Sequence, residues 1–342
     1  MSRFFGAFTQ ASSSALSRLH SRALFALPSR KEGYTLDLDS WALLHEDGHQ
    51  EGVATGYTKR GIKPCQRPLI AALAESQMVA NYWLRSGNTQ CVNGATEFLR
   101  VTLAQMPEHI RIGLLRADSG FSDGSFLQAC QELGLHYIIV ARLTQKVQSL
   151  CRHEDACWKE TGLDGMQVQE VETEGVGRRL ILIRQRIATR PEAGGKLLVE
   201  VPGYRFQALW TNLPSTVDAL RVWRRYHGRA DIENRIRELG QQFGIKGLTS
   251  RKFWATEAMH HLAIAAYNLC VLLQRKLGQL EKCELNTLRW RLFSRAAVWS
   301  RARGKPTLKL AVPGEQARDW WGQILIKLMA LPNCNSVGSL QA

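Results

Sequence analysis

The sequence predicts a mixed α/β fold: a mixed sheet flanked by helices and interrupted by a β-rich insertion. Three observations carry this. Strand patterns fill the first third of the chain and lead into a strand–helix–strand run. Residues 144–213 are rich in Gly, Gln, Glu and β-branched residues and read as antiparallel strands. Residues 214–276 then read as long helices. One core with an insertion explains this order better than two independent domains.

The elements follow in order. Tyr34–Leu44 alternates as a strand, with Leu36, Leu38 and Ala42 on one side and Asp37, Asp39 and Trp41 on the other. Pro68–Arg85 supplies one or two further strands. Gly94–Gln105 is amphipathic and helical, ending before Pro107. Ile110–Ala117 is a short apolar run of the kind that forms a buried strand, and it leads directly into Asp118-Ser119-Gly120-Phe121. Asp123–Leu133 is a helix closed by Gly134, and Tyr137–Leu143 is a strand. Within 144–213, strands are expected at Met166–Val171, Arg179–Arg186, Lys196–Val201 and Phe206–Thr211. Pro214-Ser215-Thr216 opens a single long helix expected to run to about Gln242. A second runs from about Ala255 to Lys276, and Thr307–Val312 is a late strand.

The chain has 342 residues, 45% of them apolar, enough for a sizeable core. Its formal net charge is +15, with a pI near 9.7, which favours a polyanionic partner, nucleic acid first. The eight cysteines include no CxxC pair and read as reduced thiols of a cytoplasmic protein. Cys151–Cys157 lacks a second half-site at zinc-finger spacing and reads as a turn. Residues 1–30 contain four arginines and no acid, the composition of a transit peptide or of a fragment of a basic domain. The longest apolar run, Leu262–Leu273, contains Asn268 and is too short to span a bilayer. His260 and His261 lie in that apolar helix and read as packed or hydrogen-bonded groups.

Three carboxylates stand out by position. Asp39 lies in an otherwise apolar strand, Asp118 at the end of a buried strand, and Glu233 inside a helix. Each alone is ordinary. Together they match a chemical need: carboxylates that hold two divalent cations about 4 Å apart can drive phosphoryl transfer. Mg²⁺ suits such oxygen donors. Asp37, on the same strand face as Asp39, is a candidate fourth ligand but reads first as a supporting or surface group. Tyr226, Arg229, Glu233 and Arg237 follow at helical spacing, so a phenol, two guanidiniums and a carboxylate share one stripe.

These residues carry a family resemblance. The chain resembles the DDE transposases of bacterial insertion sequences, in the IS-four-type superfamily, in the branch whose first motif reads Leu-Asp-Leu-Asp-Ser. The matching blocks are Leu36–Ser40 with Gln50–Tyr57, Arg116–Phe121, Tyr226–Leu239 and Ala263–Leu269. The third carries Tyr-x-x-Arg-x-x-x-Glu, the family's signature around its last acid. The resemblance implies an RNase H-like fold and cut-and-paste transposition. Asp39, Asp118 and Glu233 would be the catalytic, metal-holding acids, with two Mg²⁺ ions for which Mn²⁺ can substitute. Tyr226 and Arg229 would grip transposon-end phosphates.

The family usually places a Lys seven residues after the Glu; here Gly240 stands there, and Arg237 on the same face is the candidate replacement. The separation of 115 positions between Asp118 and Glu233 implies a β-rich insertion, in agreement with the pattern at 144–213. In related enzymes an insertion-domain Trp stacks on a transposon-end base, which makes Trp158 and Trp210 candidates, with core packing the leading reading of each.

The resulting expectation is a remnant of the N-terminal region at 1–33, catalytic core at 34–143 and 214–276, the insertion at 144–213 and a basic C-terminal region at 277–342. The chain is expected to be N-terminally truncated, to bind transposon-end and target DNA as a homodimer, and to work in the bacterial cytoplasm at the nucleoid, with no membrane partner. Two alternatives remain open: a catalytically inactive DNA-binding remnant, and a host nuclease of the RNase H-like class.

Overall fold

The computed structural model of the chain describes residues 2–45, 49–58, 60–153, 157–173, 177–189, 191, 195–197, 201–278, 283–302, 304–312 and 314–330. It opens with helices α1 (Ser2–Phe5) and α2 (Gln10–Leu24). Strands β1 (Tyr34–Ser40), β2 (Leu43–Leu44), β3 (Ala54–Thr58), β4 (Gly61–Gln66), β5 (Leu69–Leu73) and β6 (Met78–Trp83) follow. Then come α3 (Ala95–Ala104), β7 (Ile112–Ala117), α4 (Gly124–Glu132), β8 (Tyr137–Val140) and α5 (Gln145–Arg152). The next stretch is β9 (Lys159–Glu160), β10 (Met166–Thr173), β11 (Arg178–Arg186), β12 (Lys196–Leu197) and β13 (Tyr204–Thr211). The chain continues with α6 (Ala219–His227), α7 (Ala230–Gln241), α8 (Phe253–Leu277) and α9 (Leu285–Leu288). The last described elements are the ribbon β14 (Ala297–Ala302) and β15 (Lys305–Leu310) and helix α10 (Glu315–Met329).

Among the described residues ten strands form one mixed sheet in the order β6-β5-β1-β7-β8-β13-β11-β10-β9, with β12 on β13. β6, β5 and β1 form an antiparallel meander, and β7 and β8 add parallel to β1. β8 then pairs antiparallel with β13, so the strands of 144–213 continue the core sheet. The fold is mixed α/β with helices on the sheet, as the sequence predicts. The four strands expected in 144–213 all form, with the third shortened to β12 among the described residues.

β1 sits between β5 and β7 and is covered on both faces: Leu36 and Leu38 are buried, and so is Asp37. The alternation in Tyr34–Leu44 therefore marks a central strand, and Asp37 is no surface group. α2 lies on α8, joined by Ser13 Oγ donating to Glu257 Oε2 at 2.7 Å and by a 2.9 Å bond between His20 Nε2 and His261 Nδ1. His260 meets the Tyr82 hydroxyl at 2.6 Å and Leu248 O at 2.8 Å, so both helix histidines are packed and bonded as expected. All seven cysteines among the described residues are free thiols. Residues 154–156 of the Cys151–Cys157 segment, and Cys334, lie outside the described residues. No described helix is long and apolar enough to cross a membrane.

The single helix expected from Pro214 to Gln242 is two. α6 ends at His227 and α7 starts at Ala230. Continuity would require the Arg229 N–H to bond Arg225 O. That carbonyl instead accepts from Arg116 Nη1 at 2.5 Å, and Arg229 N turns to Tyr226 O at 2.9 Å. Gly228 permits the approach, because a Cβ there would stand 2.7 Å from Arg116 Nη1.

Candidate active site

Strand register brings the first two acids together. Leu38 of β1 pairs with Ala117 of β7 in parallel, so Asp39 and Asp118 follow on neighbouring strands at the same sheet end. One residue earlier on each side of that pair, Asp37 opposes Arg116, and the two form a buried bidentate ion pair at 2.6 and 2.7 Å. Asp118 caps a 3-10 turn by accepting from Gly120 N at 2.9 Å, which fixes its backbone as the chain leaves the sheet. Glu233 lies in the first turn of α7, which packs on β1, and Arg229 just before that helix reaches Asp39.

Asp39 is buried. Its Oδ1 accepts from Ser40 N at 2.7 Å and its Oδ2 pairs with Arg229 Nη2 at 3.1 Å. Burial pushes its pKa up to about 6, and the charges of Asp118 and Glu233 push the same way; Arg229 and the Ser40 N–H oppose them. Burial also opposes the Arg229 charge, but Asp39, the Tyr226 phenol and Asp118 more than restore it, so its pKa is raised. Burial likewise raises Tyr226 against the pull of Arg229. Asp39, Asp118, Tyr226 and Arg229 thus form one electrostatic group, on which Glu233 acts weakly through Asp39. As the side chains stand, no three His, Cys, Asp or Glu groups among the described residues are close enough to share a metal ion. Carboxylate oxygens are nevertheless the donors that hard divalent cations take, and Asp39 and Asp118 lie at one sheet end, with Arg229 paired to Asp39.

Residues 1–321 match the family described as Transposase DDE domain, group 1. The chain belongs to this DDE transposase family. Among solved structures, one similar chain is the piggyBac transposase in a synaptic complex with hairpin DNA, at 11% identity and a TM-score of 0.44. The match covers 77% of this chain and 51% of that one, so this chain spans about half the length of that transposase. No curated protein matches the chain.

The stripe expected of Tyr226, Arg229, Glu233 and Arg237 is distributed over a joint. Tyr226 lies in the last turn of α6, Arg229 sits in the break, and Glu233 and Arg237 follow on α7. Arg237 is exposed and pairs with Glu284 at 2.9 Å. The space beside Gly240 is taken by the stem of Lys246, whose Cε lies 2.8 Å from where a Cβ would be. Trp158 and Trp210 are half-buried: Arg184 lies over the first ring at 4.4 Å and Arg178 over the second at 5.8 Å. Trp158 also lines a cavity of about 410 Å³ with His153, Gln167 and Arg184.

Two arginines at the site escape sequence reasoning. Arg116 braces both Asp37 and the helix joint. Arg85 donates to Ser40 Oγ at 3.1 Å and to the carbonyls of Gln90 and Asn93, and burial lowers its pKa to about 10. Half of the signal for Arg116 was present: an arginine inside an apolar strand needs a buried acid, but only the β1–β7 register identifies Asp37 as that acid.

Proposed function

We propose that this chain cuts phosphodiester bonds at transposon ends and joins them to target DNA by a cut-and-paste route, with Asp39, Asp118 and Glu233 as its catalytic, metal-holding acids. The observation that carries this is the Leu38–Ala117 register, which sets Asp39 beside Asp118, together with the Asp39 pKa that feels both other acids. The strand order, an antiparallel meander followed by two parallel strands, supports an RNase H-like core at 34–143 and 214–276. It supports 144–213 as the insertion between the second and third acids. The motif at Leu36–Ser40 supports the IS-four-type branch of bacterial insertion sequences, and with it work at the bacterial nucleoid as a homodimer.

Two Mg²⁺ ions, or Mn²⁺ in their place, would activate a water and later the freed 3′-hydroxyl, and would stabilise the leaving oxygen. Asp39 and Asp118 would hold them from the sheet edge and Glu233 from α7. Tyr226 and Arg229 would position the transposon-end phosphate beside the acids. Arg237 would exchange Glu284 for a phosphate, a cheap exchange because an exposed pair contributes about 0–1 kcal/mol.

The test is strand cleavage by the purified chain, with Mg²⁺ and the DNA flanking its own reading frame. Asp39→Asn, Asp118→Asn and Glu233→Gln should each lose at least about 100-fold in rate. Wild-type cleavage by any of them would remove that residue from the site. A second reading, an inactive DNA-binding remnant, is favoured by Gly240 and by the pairing of Asp39 with Arg229. It predicts salt-dependent DNA binding with no metal-dependent cleavage.

A further inference from the structure

The C-terminal region carries a second charged surface, away from the acids in the chain. Residues 285–314 contain seven Lys or Arg and no Asp or Glu. Three of the seven, Arg301, Lys305 and Lys309, lie on the two-stranded ribbon of β14 and β15, which forms a sheet of its own. Its register pairs Trp299 with Leu308 and Arg301 with Pro306 on one face, and Val298 with Lys309 and Ala302 with Lys305 on the other. Both faces are open: Trp299 is 74% exposed and Val298 65%. Among its described residues, Leu310 is the one that packs on the core. A two-stranded ribbon with no covering layer is marginal in water, and apolar side chains on both its faces leave surface for a partner to cover.

We infer that this ribbon is a DNA-docking element that enters the major groove of a duplex. The groove is about 12 Å wide and admits a two-stranded β-ribbon, whose strands lie about 4.8 Å apart. The face of Trp299, Leu308 and Arg301 meets the base edges. Lys305 and Lys309 on the other face have stems long enough to reach the phosphates on either side. The absence of any carboxylate across 285–314 selects a polyanion over a protein partner of mixed charge. The inference extends the DNA reading above to a second surface, and its test needs no cleavage.

The experiment measures fluorescence anisotropy of a labelled duplex about two helical turns long. The full chain is titrated against it without divalent ion over a series of salt concentrations. Arg301→Gln/Lys305→Gln/Lys309→Gln should weaken binding at least about 10-fold near 0.15 M salt and reduce the salt slope by about 3. Each single substitution should reduce the slope by about 1, which gives a readout even if the triple variant is unstable. An unchanged slope in the single variants would overturn the proposal. So would tighter binding to a single strand of the same length that Trp299→Ala abolishes, because that result assigns the surface to stacking on unpaired bases. Failure of cleavage at the acids would leave these measurements untouched.

Discussion

Arg229 opposes the burial that raises the Asp39 pKa. Its guanidinium reaches Asp39 Oδ2 and Leu38 O, both at 3.1 Å, from a buried position in the helix joint. Breaking a buried pair from one side leaves the other charge stranded and costs about 3–5 kcal/mol. Arg229→Met should therefore destabilise the chain by about that amount in urea denaturation, and Arg229→Met/Asp39→Asn should recover much of it. Additive losses in the double variant would show that the two side chains are not coupled. The placement of Asp39 and Asp118 was legible from sequence, because a carboxylate in an apolar strand and another just past one are visible as text. Asp37–Arg116 was not, because it depends on a parallel register between strands 79 residues apart in sequence.

At the scale of elements, periodicity located the strands and helices well but missed the joint at Gly228. Nothing local demands it: Arg116, from a distant strand, takes the carbonyl that would continue the helix. A Cβ at Gly228 would press on Arg116 Nη1 at 2.7 Å. Because that atom ends a long side chain, Gly228→Ala should displace Arg116 rather than prevent folding. The charge-assisted bonds lost are worth about 1.5–3 kcal/mol, offset by about 1 kcal/mol of helix propensity. The expected result is a small loss in stability, read by urea denaturation, with a larger loss in cleavage; full activity would mean the joint does not position Tyr226 and Arg229.

The docking of α2 on α8 carries its own pH dependence. Burial lowers His20 from 6.5 to about 3 and His260 to about 4, and lowers His261 as well. The unfolded chain therefore binds more protons than the folded one below 6.5, and stability from these groups is complete above 6.5 and lost as pH falls. Asp37 and Asp39, raised to about 6, act in the opposite sense between about 4 and 6. Comparison with His20→Gln isolates the histidine: its stability deficit against wild type should shrink by about 1.4 kcal/mol per pH unit between pH 6 and 5. A deficit that holds constant across that range, in urea denaturation at each pH, would refute the role of His20.

For the molecule as a whole, the question is whether residues 144–213 stand alone. Their composition suggested a separate unit, and sequence could not show which strand they join, since pairing across β8 and β13 is a long-range choice. The register Ile139–Trp210 makes them part of the core sheet. Ile181 and Ile183 of β11 pack in one cluster with Leu114, Ile138 and Val222 from the core, while Leu180 and Leu182 pack on the other face with Phe206 and Ala208. Replacing 145–203 with a short Gly-Ser linker keeps β13 as a hairpin partner of β8 but removes these four aliphatic side chains. At about 1.5–3 kcal/mol each, their loss is about 6–12 kcal/mol, the size of a whole domain's stability. It also leaves β13 as an edge with apolar side chains on both faces, a template for aggregation. The shortened chain should be insoluble, or elute as aggregate on size exclusion. A soluble, monomeric product with a cooperative melt would show that the core closes without the insertion.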